Sequence, residues 1–147
     1  MDTHLTESIT AFLRAFERTA HPEDVAALAA CYADTFLVAG PDGTMAVKRS
    51  DFALALPRRK KMFDEMGCRS TKLHSAIVTR LDDRYAMART TWNMGFAHGE
   101  GQINEVQVGS TFIVDTKDEL KIVLYLTHQD IETVLRERGS CEGALDD

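Results

Sequence analysis

The chain has 147 residues, 44% of them hydrophobic and 27% charged, with a formal net charge of −6. That composition is ordinary for a globular protein long enough to bury one core without disulfides or metal, and it excludes a disordered chain. The acidic balance makes nucleic acid and anionic membrane poor partners, and no apolar run approaches the roughly 20 residues of a membrane span.

Ile9, Phe12, Leu13 and Phe16 recur at the spacing of one helix face, which predicts an amphipathic helix over about residues 3–19. Pro22 interrupts it and suits the first turn of a new helix, with Glu23 and Asp24 near its positive end. Val25, Leu28, Ala29 and Tyr32 then repeat the helical spacing. Thr35 to Ala39 is short and β-prone, Gly40-Pro41-Asp42-Gly43 is turn chemistry, and Thr44 to Val47 can return as its partner. Ser50-Asp51 is expected to cap a third helix carrying Phe52, Leu56, Phe63 and Met66, which Pro57 should kink or divide and Gly67 should close.

From Ser70 the period changes to two, and strands are predicted at about 70–81, 85–96, 105–115 and 120–129. Asp82-Asp83-Arg84 and Thr116 to Glu119 are the expected turns, and the glycine-rich loop from Ala97 to Asn104 the longest and most mobile. Asp130 should cap a short helix from Ile131 to Arg138 that Gly139 stops. Val106, Val108, Ser110, Phe112 and Val114 share one face, opposite Gln107, Gly109, Thr111 and Ile113. Ile122, Leu124 and Leu126 alternate with Val123, Tyr125 and Thr127, so this sheet is apolar on both sides and needs cover on both. Helices cover one side, and a homodimer through the sheet is expected to cover the other. The fold class expected is α+β: a cone-shaped roll of three N-terminal helices on a curved, mainly antiparallel sheet, with a short C-terminal helix. It forms a single domain over residues 1–139 followed by a flexible tail over 140–147.

The segment C-Y-A-D-T-F-L-V-A-G-P-D-G from Cys31 to Gly43, set after two helices and before a third helix and four long strands, resembles the nuclear transport factor 2-like superfamily. The likeness is to its SnoaL-like and ketosteroid-isomerase-like branches and covers essentially the whole chain to Gly139. It implies a cone with a deep, mostly apolar cavity, commonly in a dimer. Members include isomerases, dehydratases, epoxide hydrolases, polyketide cyclases and noncatalytic binding modules. The isomerase pattern itself does not carry over: the general-base aspartate corresponds to Gly40, the oxyanion-hole tyrosine to Phe16 and its aspartic-acid partner to Ser110. Proton abstraction beside a carbonyl needs a base and oxyanion donors, which Phe16 and Gly40 cannot supply.

Pocket-facing parity marks Tyr32, Trp92, Ser110, Phe112, Tyr125 and Thr127, with Thr90 beside them, as the lining for a small hydrophobic or polyketide-like ligand. Tyr32 and Trp92 have an equally simple use as core aromatics. His74, in the first long strand, and His128, at the end of the last, are the candidate acid–base residues if either faces the cavity beside Asp34 or Tyr32. His4 and His21 are assigned no role, and His98, in the glycine-rich loop, reads as a solvated loop residue or else as one acting at a pocket mouth. Arg58-Arg59-Lys60-Lys61 reads as a solvated helix face, or else as an attractor of an anionic ligand or acidic partner.

Cys31, Cys68 and Cys141 form no C-x-x-C pair, so reduced thiols are expected, and with no secretion signal in Met-Asp-Thr-His a cytoplasmic location. No metal or other cofactor is expected. The activity expected is cofactor-independent acid–base chemistry of cyclase, dehydratase or hydrolase type, using His74 or His128 with Tyr32 or Asp34. The alternative is a noncatalytic dimeric interaction or scaffold module.

Overall fold

The computed structural model describes residues 3–20, 25–99 and 101–129. The expected helix after residue 129 lies outside the described residues. In chain order the elements are α1 (Thr3–Ala20), α2 (Val25–Ala30), β1 (Tyr32–Gly40), β2 (Gly43–Lys48), α3 (Arg49–Glu65), β3 (Cys68–Arg80), β4 (Tyr85–His98), β5 (Gln102–Asp115) and β6 (Lys121–Thr127). The strands form one six-stranded sheet in the order β2-β1-β6-β5-β4-β3. Only the β1–β6 pairing is parallel; the others are antiparallel. The architecture is the expected α+β cone, its N-terminal helices packed on one face of a curved sheet.

Helix α1 follows from its stripe: Leu5, Ile9 and Leu13 are buried, and Phe12 and Phe16 pack on the same core. Helix α2 stops before Tyr32, which the helical spacing assigned to it. The backbone there is claimed by a distant strand: Ile122 N–H donates to the Cys31 carbonyl and Tyr32 pairs with Ile122. Lys121 Nζ also donates to the Ala30 carbonyl, serving the last turn of α2. Tyr32 therefore opens β1, with its side chain in the core.

Helix α3 begins at Arg49, not behind a Ser50-Asp51 cap, and Lys48 at its N-cap makes no side-chain cap hydrogen bond. Arg49 instead ties the helix start to β1, donating to the Tyr32 carbonyl at 3.2 Å and meeting Asp34 at 2.6 Å. Pro57 does not divide α3, which runs unbroken from Arg49 to Glu65. Pro57 is exposed, so the carbonyl one turn earlier that loses its donor lies on the solvent side. Gly67 closes the helix as expected, with φ +90°, and Ala97 O lies 3.2 Å from where a Cβ would stand. An L-residue there would be strained in both backbone and packing.

The β4–β5 loop is the chief departure in the sheet. Both strands extend past their predicted ends until His98 pairs with Gln102, so the connection shrinks to residues 99–101. Gly99 at φ +63° and Gly101 at φ +72° supply the left-handed turns that so short a link requires.

Face parity in β5 is as expected: Val106, Val108, Ser110, Phe112 and Val114 are all buried. In β6 it is not. The register slips between Ile113 and Val114, which pair with Leu124 and Ile122, leaving Val123 as the extra residue of a bulge. Ile122 consequently shares the inner face with Tyr125 and Thr127, while Leu124 and Leu126 turn outward. Bulges at Cys68/Ser70 and Leu73/Ser75 in the β3–β4 pairing bend the long strands around the helices.

Candidate ligand cavity

Where the helices meet the concave face, the core leaves a cavity of about 120 Å³. Seven aromatic side chains line it: Phe16 from α1, Tyr32 from β1, Phe52 and Phe63 from α3, Trp92 from β4, Phe112 from β5 and Tyr125 from β6. Six of them, all but Phe63, form one connected set of ring contacts. Phe16 lies 6.1 Å from Tyr32, 5.9 Å from Trp92 and 5.7 Å edge-on from Phe112; Phe112 lies 5.0 Å from Tyr125, and Tyr32 lies 4.8 Å from Phe52. Tilted and edge-on contacts of this kind are the favoured ring geometries. The six residues marked from the sequence as ligand-binding, Tyr32, Trp92, Ser110, Phe112, Tyr125 and Thr127, all belong to the lining.

Polar groups at the cavity are few, and their hydrogens can be counted. Trp92 Nε1 donates to Thr90 Oγ1 at 2.8 Å and to Ser110 Oγ at 3.1 Å. Thr90 Oγ1 donates to the Ser110 carbonyl at 2.9 Å and sits 2.7 Å from Ser110 Oγ. The indole N–H is thus spent within the wall. With the Thr90 hydrogen on that carbonyl, the Ser110 hydroxyl keeps one hydrogen, for Thr90 Oγ1 or for a ligand.

Tyr32 is different. It is 2% exposed, its ring is wedged 4.4 Å from Phe36, and its phenol has no hydrogen-bond partner among the described residues. Burial, with Tyr125 nearby, pushes its pKa far above the ordinary phenol value, so it stays a neutral O–H donor at any working pH. Cys68 lines the cavity as well, and burial raises its thiol pKa, so it is no thiolate nucleophile.

The candidate acid–base residues are not brought together. His74 is the extra residue of the Leu73/Ser75 bulge; it is exposed, with Nδ1 3.4 Å from Asn93 Nδ2. His128 follows the inward Thr127 and is turned out by the pleat, its Nε2 2.7 Å from Thr111 Oγ1. The Asp34 side chain is 88% exposed and paired with Arg49. None of the three lines the cavity.

Of the positions matched to the isomerase pattern, Phe16 and Ser110 do line it, and Gly40 lies in the wider pocket outside its mouth. A Cβ at Gly40 would stand 2.8 Å from Thr127 Oγ1, so the position has no room for a carboxylate as packed.

Sequence reasoning passed over Arg59, Phe63, Asp64 and Gln129, which also line the cavity. The signal for Arg59 was present, since it falls three residues after Leu56 and four before Phe63, on the apolar stripe of α3. Among the described residues no group of three or more His, Cys, Asp or Glu could hold a metal ion, and no helix is long and apolar enough to cross a membrane.

A family model described as NTF2-like protein (DUF6841) matches residues 3–130. The chain belongs to this NTF2-like family. Solved structures agree on the fold. Aln2 from a Streptomyces species superposes with a TM-score of 0.72 at 12% identity, over 92% of this chain and 96% of that one. An NTF2-like protein with a cystatin-like fold from Novosphingobium aromaticivorans gives 0.68 at 19% identity, over 84% and 80%. A ketosteroid isomerase-like protein from Erwinia carotovora atroseptica gives 0.63 at 17%, over 83% and 93%. No curated protein shows a significant sequence match to this NTF2-like chain.

Proposed function

We propose that this NTF2-like protein binds a small hydrophobic organic molecule in the aromatic cavity, as a cytoplasmic homodimer that meets its twin through the outer face of the sheet. One observation carries the reading: an enclosed ring of aromatics surrounds a buried phenol that no described residue satisfies. A buried O–H without a partner costs about 1–3 kcal/mol, so a ligand oxygen placed there returns free energy specific to the bound state. A void of 120 Å³ suits one ring, since a comparable engineered apolar cavity of about 150 Å³ holds benzene. A larger, polyketide-like molecule would seat one ring inside and extend into the adjoining outer pocket of about 470 Å³, which shares Arg59, Phe63, Tyr125, Thr127 and Gln129 with the cavity. The name of one fold neighbour, a ketosteroid isomerase-like protein, is in keeping with a small-molecule cavity. The outward His74 and His128 favour binding over histidine-based cyclase, dehydratase or hydrolase chemistry, and no cofactor is invoked.

Thermal denaturation against a panel of one- and two-ring compounds tests this. At a hundredfold excess over Kd a native-state ligand adds about 2.7 kcal/mol, which for a domain of this size is a rise of about 5–10 °C. Thr127→Phe, at the mouth, is expected to keep the fold and abolish that rise. A panel without any saturable response, and a Thr127→Phe melt identical to the parent, would instead favour the noncatalytic scaffold. That second reading draws on the absence of the isomerase acid and base from the lining.

A further inference from the structure

The donors at the cavity mouth point to the class of ligand, granted the reading that the cavity binds one. Arg59 lies on the shared edge of the cavity and the outer pocket. Its guanidinium is held 5.5 Å above the Phe63 ring. Arg49 and Arg84 spend their charge on Asp34 and Asp115, but Arg59 has no carboxylate partner among the described residues. Its charge nevertheless reaches inward, since it opposes the rise in the Tyr32 pKa.

A second donor is Tyr32 itself, buried and without a hydroxyl partner among the described residues. A third is the Gln129 amide: Oε1 already accepts the Gly109 N–H at 2.7 Å, so the nitrogen of this rim residue remains to donate. Asp64, the other charge on the lining, is absent from the outer pocket that Arg59 borders. The mouth therefore presents the Arg59 charge and the Gln129 amide, and the interior presents ring faces with the Tyr32 hydroxyl among them. The run Arg58-Arg59-Lys60-Lys61 places a block of positive charge on α3 in a chain of net charge −6, and of the four only Arg59 lines the cavity.

We propose that the cavity selects a single-ring organic carboxylate, its ring packed among Phe16, Trp92 and Phe112 and its carboxylate turned to Arg59 and Tyr32. A carboxylate accepts from several donors at once, and guanidinium is its best-matched cation. The ring fills the volume, while the charge discriminates between ligands of equal shape.

Trp92 is the only tryptophan in the chain, so its indole N–H resonance reports on the cavity alone. Titrating the full chain with benzoate and with benzamide, its neutral isostere, compares charge at constant shape. Benzoate is expected to bind about tenfold more tightly than benzamide, a preference that shrinks as salt is raised from about 0.05 to about 0.5 M. Arg59→Met keeps the aliphatic stem over Phe63 and should cost benzoate about tenfold while leaving benzamide within about twofold. Equal affinities for the two probes, or an Arg59→Met variant that binds benzoate like the parent, would overturn the carboxylate assignment and leave the cavity reading intact. If the Trp92 resonance fails to move with benzoate, benzamide or indole, both ideas fall together.

Discussion

Tyr32 concentrates the functional question in one side chain. Its ring is core, packed between Phe36 and Phe52, and its oxygen has no protein partner in the described structure. If the hydroxyl serves a ligand rather than the fold, Tyr32→Phe should leave the melting temperature of the free protein unchanged or raise it by up to about 4 °C. The same variant should weaken ligand binding, and a loss of several degrees would mean that the phenol supports the fold. Thr90 makes the opposite case. It is buried, and its hydroxyl joins Trp92 Nε1, Ser110 Oγ and the Ser110 carbonyl. Thr90→Val preserves shape but leaves the indole N–H only its longer bond to Ser110, 3.1 Å away. Denaturant melts are expected to show a loss of about 1–3 kcal/mol.

At the scale of elements, the hairpin that joins β3 to β4 contributes to the acid limb of stability. The Asp82 carboxylate accepts the backbone N–H groups of Tyr85 and Arg84, and these bonds hold its pKa below the usual carboxylate range. Asp115 is lowered chiefly by the two-pronged Arg84 guanidinium, and further by the Lys117 N–H. Both folded pKa values lie below the unfolded ones, so the stabilisation is complete above about pH 5 and lost as pH falls through the folded values. Melting temperature should fall as pH drops below about 5, and an Asp82→Asn, Asp115→Asn double variant should show a shallower fall. An identical acid limb in both proteins would remove these carboxylates from the account.

Element scale is also where legibility in the sequence divides. The stripe of α1 and the two faces of β5 could be read directly, because each is set by a local period and one buried surface. Tyr32 could not. Its spacing from Leu28 is helical, and it becomes a strand residue only because β6, some 90 residues later, takes the neighbouring carbonyl. His74 was undecidable for a related reason: the pleat alternates, but a bulge resets it, and a bulge is a property of a strand pair, whereas the outward His128 follows from alternation once Thr127 faces inward.

The whole molecule presents an outer sheet face that the helices do not cover. Leu37 and Ile77 on it are exposed, and Ile113, Leu124 and Leu126 are half-buried. A second copy packed there would bury them, and the proposed homodimer makes this testable. Sedimentation should show a dimer at micromolar concentration, and Leu124→Glu should convert it to a folded monomer, since an unpaired carboxylate in an apolar interface is disfavoured. A parent chain that already sediments as a monomer would remove the dimer from the proposal.

Taken alone, the order and periodicity of residues determined three helices before a curling sheet, one continuous core, and the six side chains that look into its hollow. These follow from local preference and from the burial of one face, both written along the chain. Tertiary structure alone decided which way His74 points and that the Tyr32 phenol has no protein partner among the described residues. Those outcomes depend on bulges and on contacts between segments far apart in sequence, where no local pattern constrains the register.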